Sequence, residues 1–209
     1  MTKNTNSFRR KEKRYKAEPK ILVICEDKKS SKIYLEEAAT YFRVNMKIIF
    51  THCGKTDPLG IIQEAVDNRK KYDHIYCVID RDTHQNFREA LDLASQYQNI
   101  TPISSYPCFE FWLIIHFGHC TRPFRETERK SAGDQALDFL KRKEGMDQYA
   151  KGSSGLFKIL LGERFETARR YSPRILARAI EENERNPSTE LHILIDKIEE
   201  LSAPQPIEE

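Results

Sequence analysis

The sequence predicts an α/β protein, with a mainly parallel four-stranded sheet flanked by helices and followed by a C-terminal helical extension. Three observations point there. Short apolar runs rich in β-branched residues alternate four times with amphipathic stretches between residues 21 and 118. Strand, helix and strand in succession is the pattern of parallel strands joined by right-handed crossovers. After Gly118 the alternation stops, and segments 133–143, 153–185 and 188–201 read as helices punctuated by Gly145, Gly152 and Pro187.

The elements follow in order. ILVIC (21–25) is a short apolar run of the kind buried on both faces of a sheet. From Ser30 to Phe42, Ile33, Tyr34, Ala38 and Phe42 recur at roughly helical spacing. VNMKIIFTH (44–52) reads as the second strand. Asp57-Pro58 then suits an N-cap with Pro at the first helical position, opening a helix over 58–71. HIYCVID (74–80) is the third strand. The stretch 83–98 carries Phe87, Ala90, Leu91, Ala94 and Tyr97 on one helical face. ITPISS (100–105) is the fourth strand, and PCFEFWLIIHF (107–117) is an apolar helix with Pro107 near its start.

At 209 residues the chain fits one globular unit. Its predicted parts are a basic flexible leader over 1–20, an α/β core over 21–118 and a helical extension over 119–209 packed on that core. The longest apolar run, FWLIIHF (111–117), is far shorter than the ~18 residues a membrane span needs. No membrane segment is expected. No apolar stretch precedes residue 21, which argues against a secretory signal and for a cytoplasmic protein. The five cysteines form no CxxC pair and leave an odd count, so they read as mostly buried thiols. Net charge is +3, but the first 20 residues hold eight Lys and Arg against two Glu, leaving a slightly acidic body. Such a leader attracts phosphate backbones, or simply solubilises the chain.

In a parallel sheet the loops after the strands gather on one edge, where such folds bind ligands. The first strand delivers Glu26, the second His52, Gly54 and Lys55, and the third Asp80 and Asp82. The fourth delivers Ser104, Ser105 and, a helical turn later, Glu110. Asp80 and Asp82 are two apart, so an extended strand end projects both carboxylates to one side and Arg81 to the other. With Glu26 they offer the hard oxygen ligands that Mg²⁺ prefers. The competing reading is an ordinary charged turn or helix cap. Glu110 sits in a nearly all-apolar helix, where a carboxylate must be paired, protonated or functional. Its structural alternative is a first-turn acid paired with Arg81. GKT at 54–56 is no P-loop, because Ile49 stands where the motif needs Gly. Lys55 remains a phosphate contact through charge alone. Neither His116, His119 and Cys120 nor His52 and Cys53 have zinc-site spacing.

ILVICEDKKSSKIYL, THCGKTDPLGIIQEA, YDHIYCVIDRDTHQNFREAL, SSYPCFEFWLIIHF and NPSTELHILIDKI together resemble the RloB-like proteins, which include the AbiLii abortive-infection proteins of the Toprim-like fold group. The resemblance implies a Glu after the first strand and an Asp-x-Asp after a later one that handle Mg²⁺ in phosphodiester chemistry. Glu26, Asp80 and Asp82 match these positions. One departure is visible: related proteins often read Cys-Glu-Gly-Glu where this chain has Cys25-Glu26-Asp27-Lys28. The resemblance also implies an ATPase partner and a role in phage defence. Two expectations follow. The first is a Mg²⁺-dependent (or Mn²⁺-dependent) nuclease acting on RNA or DNA as an antiphage effector, in which Asp80 and Asp82 hold metal, Glu26 is a further ligand or general acid/base, Glu110 supports the site and Lys55 binds phosphate. The second is a non-catalytic sensor or scaffold that binds nucleic acid or nucleotide. Oligomeric state is left open, a homo-oligomer included.

Overall fold

A computed structural model describes residues 19–45, 47–82 and 84–202. Most of the predicted leader and the last seven residues lie outside the described residues. The strands are β1 (Ile21–Cys25), β2 (Ile48–Thr51), β3 (His74–Asp80), β4 (Ile100–Tyr106) and β5 (Ser188–Thr189). They form one sheet in the order β2-β1-β3-β4-β5, parallel except for β5. The helices are α1 (Ser30–Tyr41), α2 (Pro58–Asn68), α3 (Phe87–Ala94), α4 (Glu110–Ile114), α5 (Ala132–Leu140), α6 (Leu156–Leu160), α7 (Glu163–Glu181) and α8 (Leu191–Glu200), with a 3-10 turn over Ile115–Phe117 after α4.

The side-chain alternation of the central strands explains why they read as unbroken apolar runs. Ile21, Val23 and Cys25 of β1 and Tyr76 and Val78 of β3 enter one core with Tyr34, Leu35, Trp112 and Ile195. Leu22 and Ile24, with Ile75, Cys77 and Ile79, enter the opposite core with Ile61, Ile62, Phe87 and Ala90. Helices α1, α4, α7 and α8 thus cover one face of the sheet and α2 and α3 the other. A strand covered on both faces needs apolar residues at every position, not at alternate ones. Among the described residues, no helix is long and apolar enough to cross a membrane.

The predicted start of α2 is present: Asp57 Oδ1 accepts the Gly60 N–H at 2.9 Å and Pro58 follows it. The same oxygen accepts the Asn86 side-chain N–H at 2.8 Å, tying α2 to the start of α3. The Asp57→Ala substitution should lower stability by about 1 kcal/mol, read as a lower melting temperature with the fold retained.

Three sequence readings are corrected. The sheet has a fifth strand: Ser105 pairs with Thr189 and Tyr106 with Ser188, antiparallel. The Ser105 and Thr189 hydroxyls are 2.9 Å apart, and Glu190 Oε2 accepts the Ser104 N–H at 2.8 Å. Two residues are too few for an alternation to show in sequence. The helix expected over 153–185 is two helices, broken at Gly162, whose φ of +86° suits glycine. Glu37 of α1 accepts the Phe157 N–H at 2.9 Å and also the Gly155 N–H, which docks the start of α6. Finally, α3 begins at Phe87 and not at 83, because the residues around His84 form a turn held by Arg81, whose Nη1 donates to the His84 carbonyl at 2.6 Å.

Candidate functional site

The parallel strands end on one edge, and the carboxylates follow from that. The Glu26 N–H donates to the Val78 carbonyl at 3.1 Å, extending the β1–β3 ladder by one residue and setting Glu26 beside the end of β3. The Asp80 N–H then donates to Glu26 Oε2 at 2.8 Å. His84 Nε2 lies 2.9 Å from Glu26 Oε1; a carboxylate only accepts, so this nitrogen carries the proton. Both oxygens of Glu26 are therefore engaged. Burial pushes its carboxyl above the usual range, with the Asp80 N–H and His84 working in the opposite direction.

Asp80 is the most strongly perturbed acid on this edge. Burial first, then the neighbouring carboxylates of Glu26 and Glu110, push it well above the ordinary Asp value, while the Phe109 N–H works against them. Asp80 and Asp82 line one cavity of about 150 Å³, but not by the strand alternation read from the sequence. The strand ends at Asp80, and Asp82 sits at φ +24° in the following turn, so strand alternation does not set its direction. The loop after β4 does: the Arg81 N–H donates to the Ser105 carbonyl and the Asp82 N–H to the Pro107 carbonyl, both at 2.9 Å. Arg81 does face away, with its guanidinium 5.5 Å from the centre of the Phe87 ring.

Glu110 begins α4 and is 1% exposed. It is not paired with Arg81. Tyr149 donates its hydroxyl to Glu110 Oε1 at 3.2 Å, and Lys151 Nζ stands 3.9 Å from the same oxygen. Lys151 lines the cavity, and Glu110 acts on the cavity through it. Burial pulls the Lys151 pKa down, but Glu110, Cys108 and Asp80 raise it further, so it remains a cation. The remaining walls come from Asp27, Ser31, Cys108 and the start of α5, where Ser131 and Asp134 form a capping box. Burial raises the Cys108 thiol, followed by Glu110 and Asp80, which leaves it protonated and unsuited to act as a nucleophile.

Lys55 is exposed, lies beside Asp57 and does not line this cavity. The cation at the cavity is Lys151, which sequence reasoning missed along with Tyr149 and His84. Ser131-Ala-Gly-Asp134 carried a readable helix-start signal. Nothing local marks Tyr149 or Lys151. His116 and His119 lie apart from this edge: His116 is buried against Trp112 and Tyr34, and the His119 ring packs on Tyr171.

The donor chemistry fits a hard divalent cation. Mg²⁺ typically takes one or two protein carboxylates and completes its shell with water and substrate oxygens, and a cation would relieve the crowding of Asp80 by Glu26 and Glu110. Among the described residues no group of three or more His, Cys, Asp or Glu side chains is placed to hold a metal ion by itself.

A mainly parallel sheet with carboxylates and one lysine around a polar cavity at its carboxyl edge defines an α/β protein with an acidic pocket. The chain belongs to the RloB-like protein family, whose sequence model matches residues 21–198. No curated protein and no solved structure matched the chain.

Proposed function

We propose that this protein is a Mg²⁺-dependent nuclease with a Toprim-like site, cleaving phosphodiesters of RNA or DNA as an effector of antiphage abortive infection alongside an ATPase partner. The observation that carries the reading is the meeting of Asp80, Asp82, Glu26 and Lys151 at one small polar cavity in a RloB-like chain. Asp80 and Asp82 would hold the metal. When bound, Mg²⁺ supplies Lewis-acid polarisation of a phosphoryl oxygen and lowers the pKa of its water. Lys151, whose Nζ stands 3.9 Å from the Glu110 oxygen that also accepts the Tyr149 hydroxyl, would present its ammonium to the charge that develops on the phosphate. Glu26 orients the backbone of Asp80 through the 2.8 Å bond and accepts from His84.

The test is incubation of the full chain with labelled RNA and DNA in Mg²⁺ or Mn²⁺. Cleavage that stops on chelation supports the reading; intact substrate under every metal and with the ATPase partner added would sink it. The Lys151→Ala variant should fall about 100-fold in cleavage rate, the usual cost of one lost charge-stabilising donor, with Glu110→Gln intermediate. An unaltered rate in Lys151→Ala would remove Lys151 from the mechanism.

A second reading rests on the engagement of both Glu26 oxygens by His84 and the Asp80 N–H. It makes the chain a non-catalytic nucleic-acid or nucleotide sensor for its partner. Undiminished RNA or DNA binding in an Asp80→Ala, Asp82→Ala double variant, with no cleavage by the wild type, would select it.

A further inference from the structure

Away from the acidic cavity, at the far end of α5, three cationic groups surround one aromatic ring. The Lys143 Nζ lies 4.6 Å from the centre of the Phe139 ring, the Arg122 guanidinium 5.4 Å and the Arg142 guanidinium 5.7 Å. Arg122 and Arg142 are exposed, and Phe139 and Lys143 are half-buried. The ring is anchored from below by Phe124, 5.7 Å away, which packs in turn on Phe111 of α4. Among the described residues no carboxylate lies within ion-pair distance of Arg122, Arg142 or Lys143, although other surface cations are paired: Arg169 with Asp196 and Glu199, Arg178 with Glu182, and Arg164 with Glu144. Asp138 of α5 is ion-paired with Lys130, and its charge acts on Arg142 only from beyond ion-pair distance. Three like charges gathered on one ring repel one another, and the face of a ring offsets only part of that. An anion with several charges in a row offsets the rest.

We infer that Phe139, Arg122, Arg142 and Lys143 form a second nucleic-acid contact that grips the sugar-phosphate backbone outside the cavity. The chemistry fits: cations take the phosphates, and guanidinium planes and an aromatic ring give a sequence-tolerant stacking surface. The place in the fold fits as well. The first turn of α5 forms a wall of the acidic cavity, through Gly133 and Asp134, and Phe139 stands about 9 Å further along the helix axis by the rise of 1.5 Å per residue. A strand whose phosphodiester enters the cavity therefore has its neighbouring phosphates within reach of the patch. Because the cavity itself is acidic and repels a polyanion until a cation neutralises it, affinity has to come from such a site. The identity of the ligand rests on the nucleic-acid reading above; cleavage is not required.

The experiment measures binding of labelled single-stranded RNA and DNA of about 20 nucleotides to the full chain by anisotropy, as a function of KCl, with EDTA present so that cleavage plays no part. The variant is Arg122→Ser with Arg142→Ser and Lys143→Ser, surface changes that leave Phe139 in place; a second variant, Phe139→Leu, removes stacking and keeps the charge. The triple variant should bind 10- to 100-fold more weakly at low salt. The slope of log affinity against log salt should shrink by about 2, since each phosphate contact to a single strand contributes ~0.7. Phe139→Leu should weaken binding with the slope unchanged. A folded triple variant with the wild-type affinity and slope overturns the patch and leaves the nuclease reading standing. A wild type that binds neither RNA nor DNA in EDTA also overturns the patch, whereas the nuclease reading stands or falls separately on cleavage in Mg²⁺ or Mn²⁺.

Discussion

Replacing Asp80 with Asn is expected to reduce metal-dependent cleavage by at least about 10³-fold, which corresponds to roughly 4 kcal/mol of transition-state stabilisation, while the metal-free protein at neutral pH melts at the same temperature or higher. The two halves of this result have one cause. Asp80 ends β3 with its carboxylate close to those of Glu26 and Glu110, and that crowding, after burial, raises its pKa well above the ordinary Asp value. A group whose folded pKa is raised contributes stability below its unfolded pKa and loses it as pH rises through the folded value. At neutral pH, above the ordinary Asp value, keeping Asp80 in this crowded place is therefore a cost to the metal-free fold, and an amide of the same shape removes it. Nothing else at this position requires the charge: the Asp80 N–H bond to Glu26 comes from the backbone and survives the change. Added Mg²⁺ or Mn²⁺ should raise the wild-type melting temperature and leave that of Asp80→Asn nearly unmoved. A variant that still cleaves, or one that melts well below the wild type without metal, would show that Asp80 is a structural residue.

Acidification from pH 6.5 to 4 should remove roughly 3 kcal/mol of stability through His116 alone. This ring is 1% exposed and lies edge-on to Tyr34 and Trp112. Its Nδ1–H donates to the Trp112 carbonyl at 2.8 Å, so Nε2 is the unprotonated nitrogen and accepts the Tyr34 hydroxyl at 3.2 Å. A second proton would sit on Nε2, facing another donor in a dry core with the Arg164 charge nearby. Burial, the largest cause, accordingly lowers the pKa from 6.5 to about 4, against a weaker pull upward from the Trp112 carbonyl. Between those values the unfolded chain binds the proton and the folded one does not, so stability is complete above pH 6.5 and declines as pH falls toward 4. Denaturant unfolding across this range tests it. The His116→Gln variant should be less stable at pH 7, because it loses ring contacts, yet its stability should fall less steeply with acid. Equal slopes in the two proteins would mean that some other group governs the acid sensitivity.

How much of this was legible in advance can be argued from the residues. β3 was readable to the residue because Ile75 to Ile79 are buried on both faces and no position could be polar. β2 was over-extended: its true span, Ile48–Thr51, is an edge strand with Ile49 exposed, and edge positions impose little pattern. β5 was unreadable, being held by bonds to Ser104 and Ser105, more than 80 residues away in the chain. The same contrast runs through the site. Glu26, Asp80 and Asp82 could be named because each lies at or just after a strand end, and parallel strands bring their ends together whatever the loops do. The cation could not. Lys55 sits in the loop after β2, where a phosphate contact was reasonable, but β2 is the sheet edge; the loop after α5 brings Lys151 to the cavity from the other end of the chain.

The sequence by itself determined that this is an α/β chain, which strands lie at its centre and which carboxylates meet at its carboxyl edge, because apolar periodicity and strand-end position are local properties written residue by residue. Only the tertiary structure decided that Asp82 reaches the cavity by a left-handed turn braced on Ser105 and Pro107, that His84 and the Asp80 N–H hold Glu26, and that Lys151 and Tyr149, not Arg81, answer the charge of Glu110. Each of those is a contact between residues distant in the chain, set by which backbone and side-chain groups the packed strands and helices bring together.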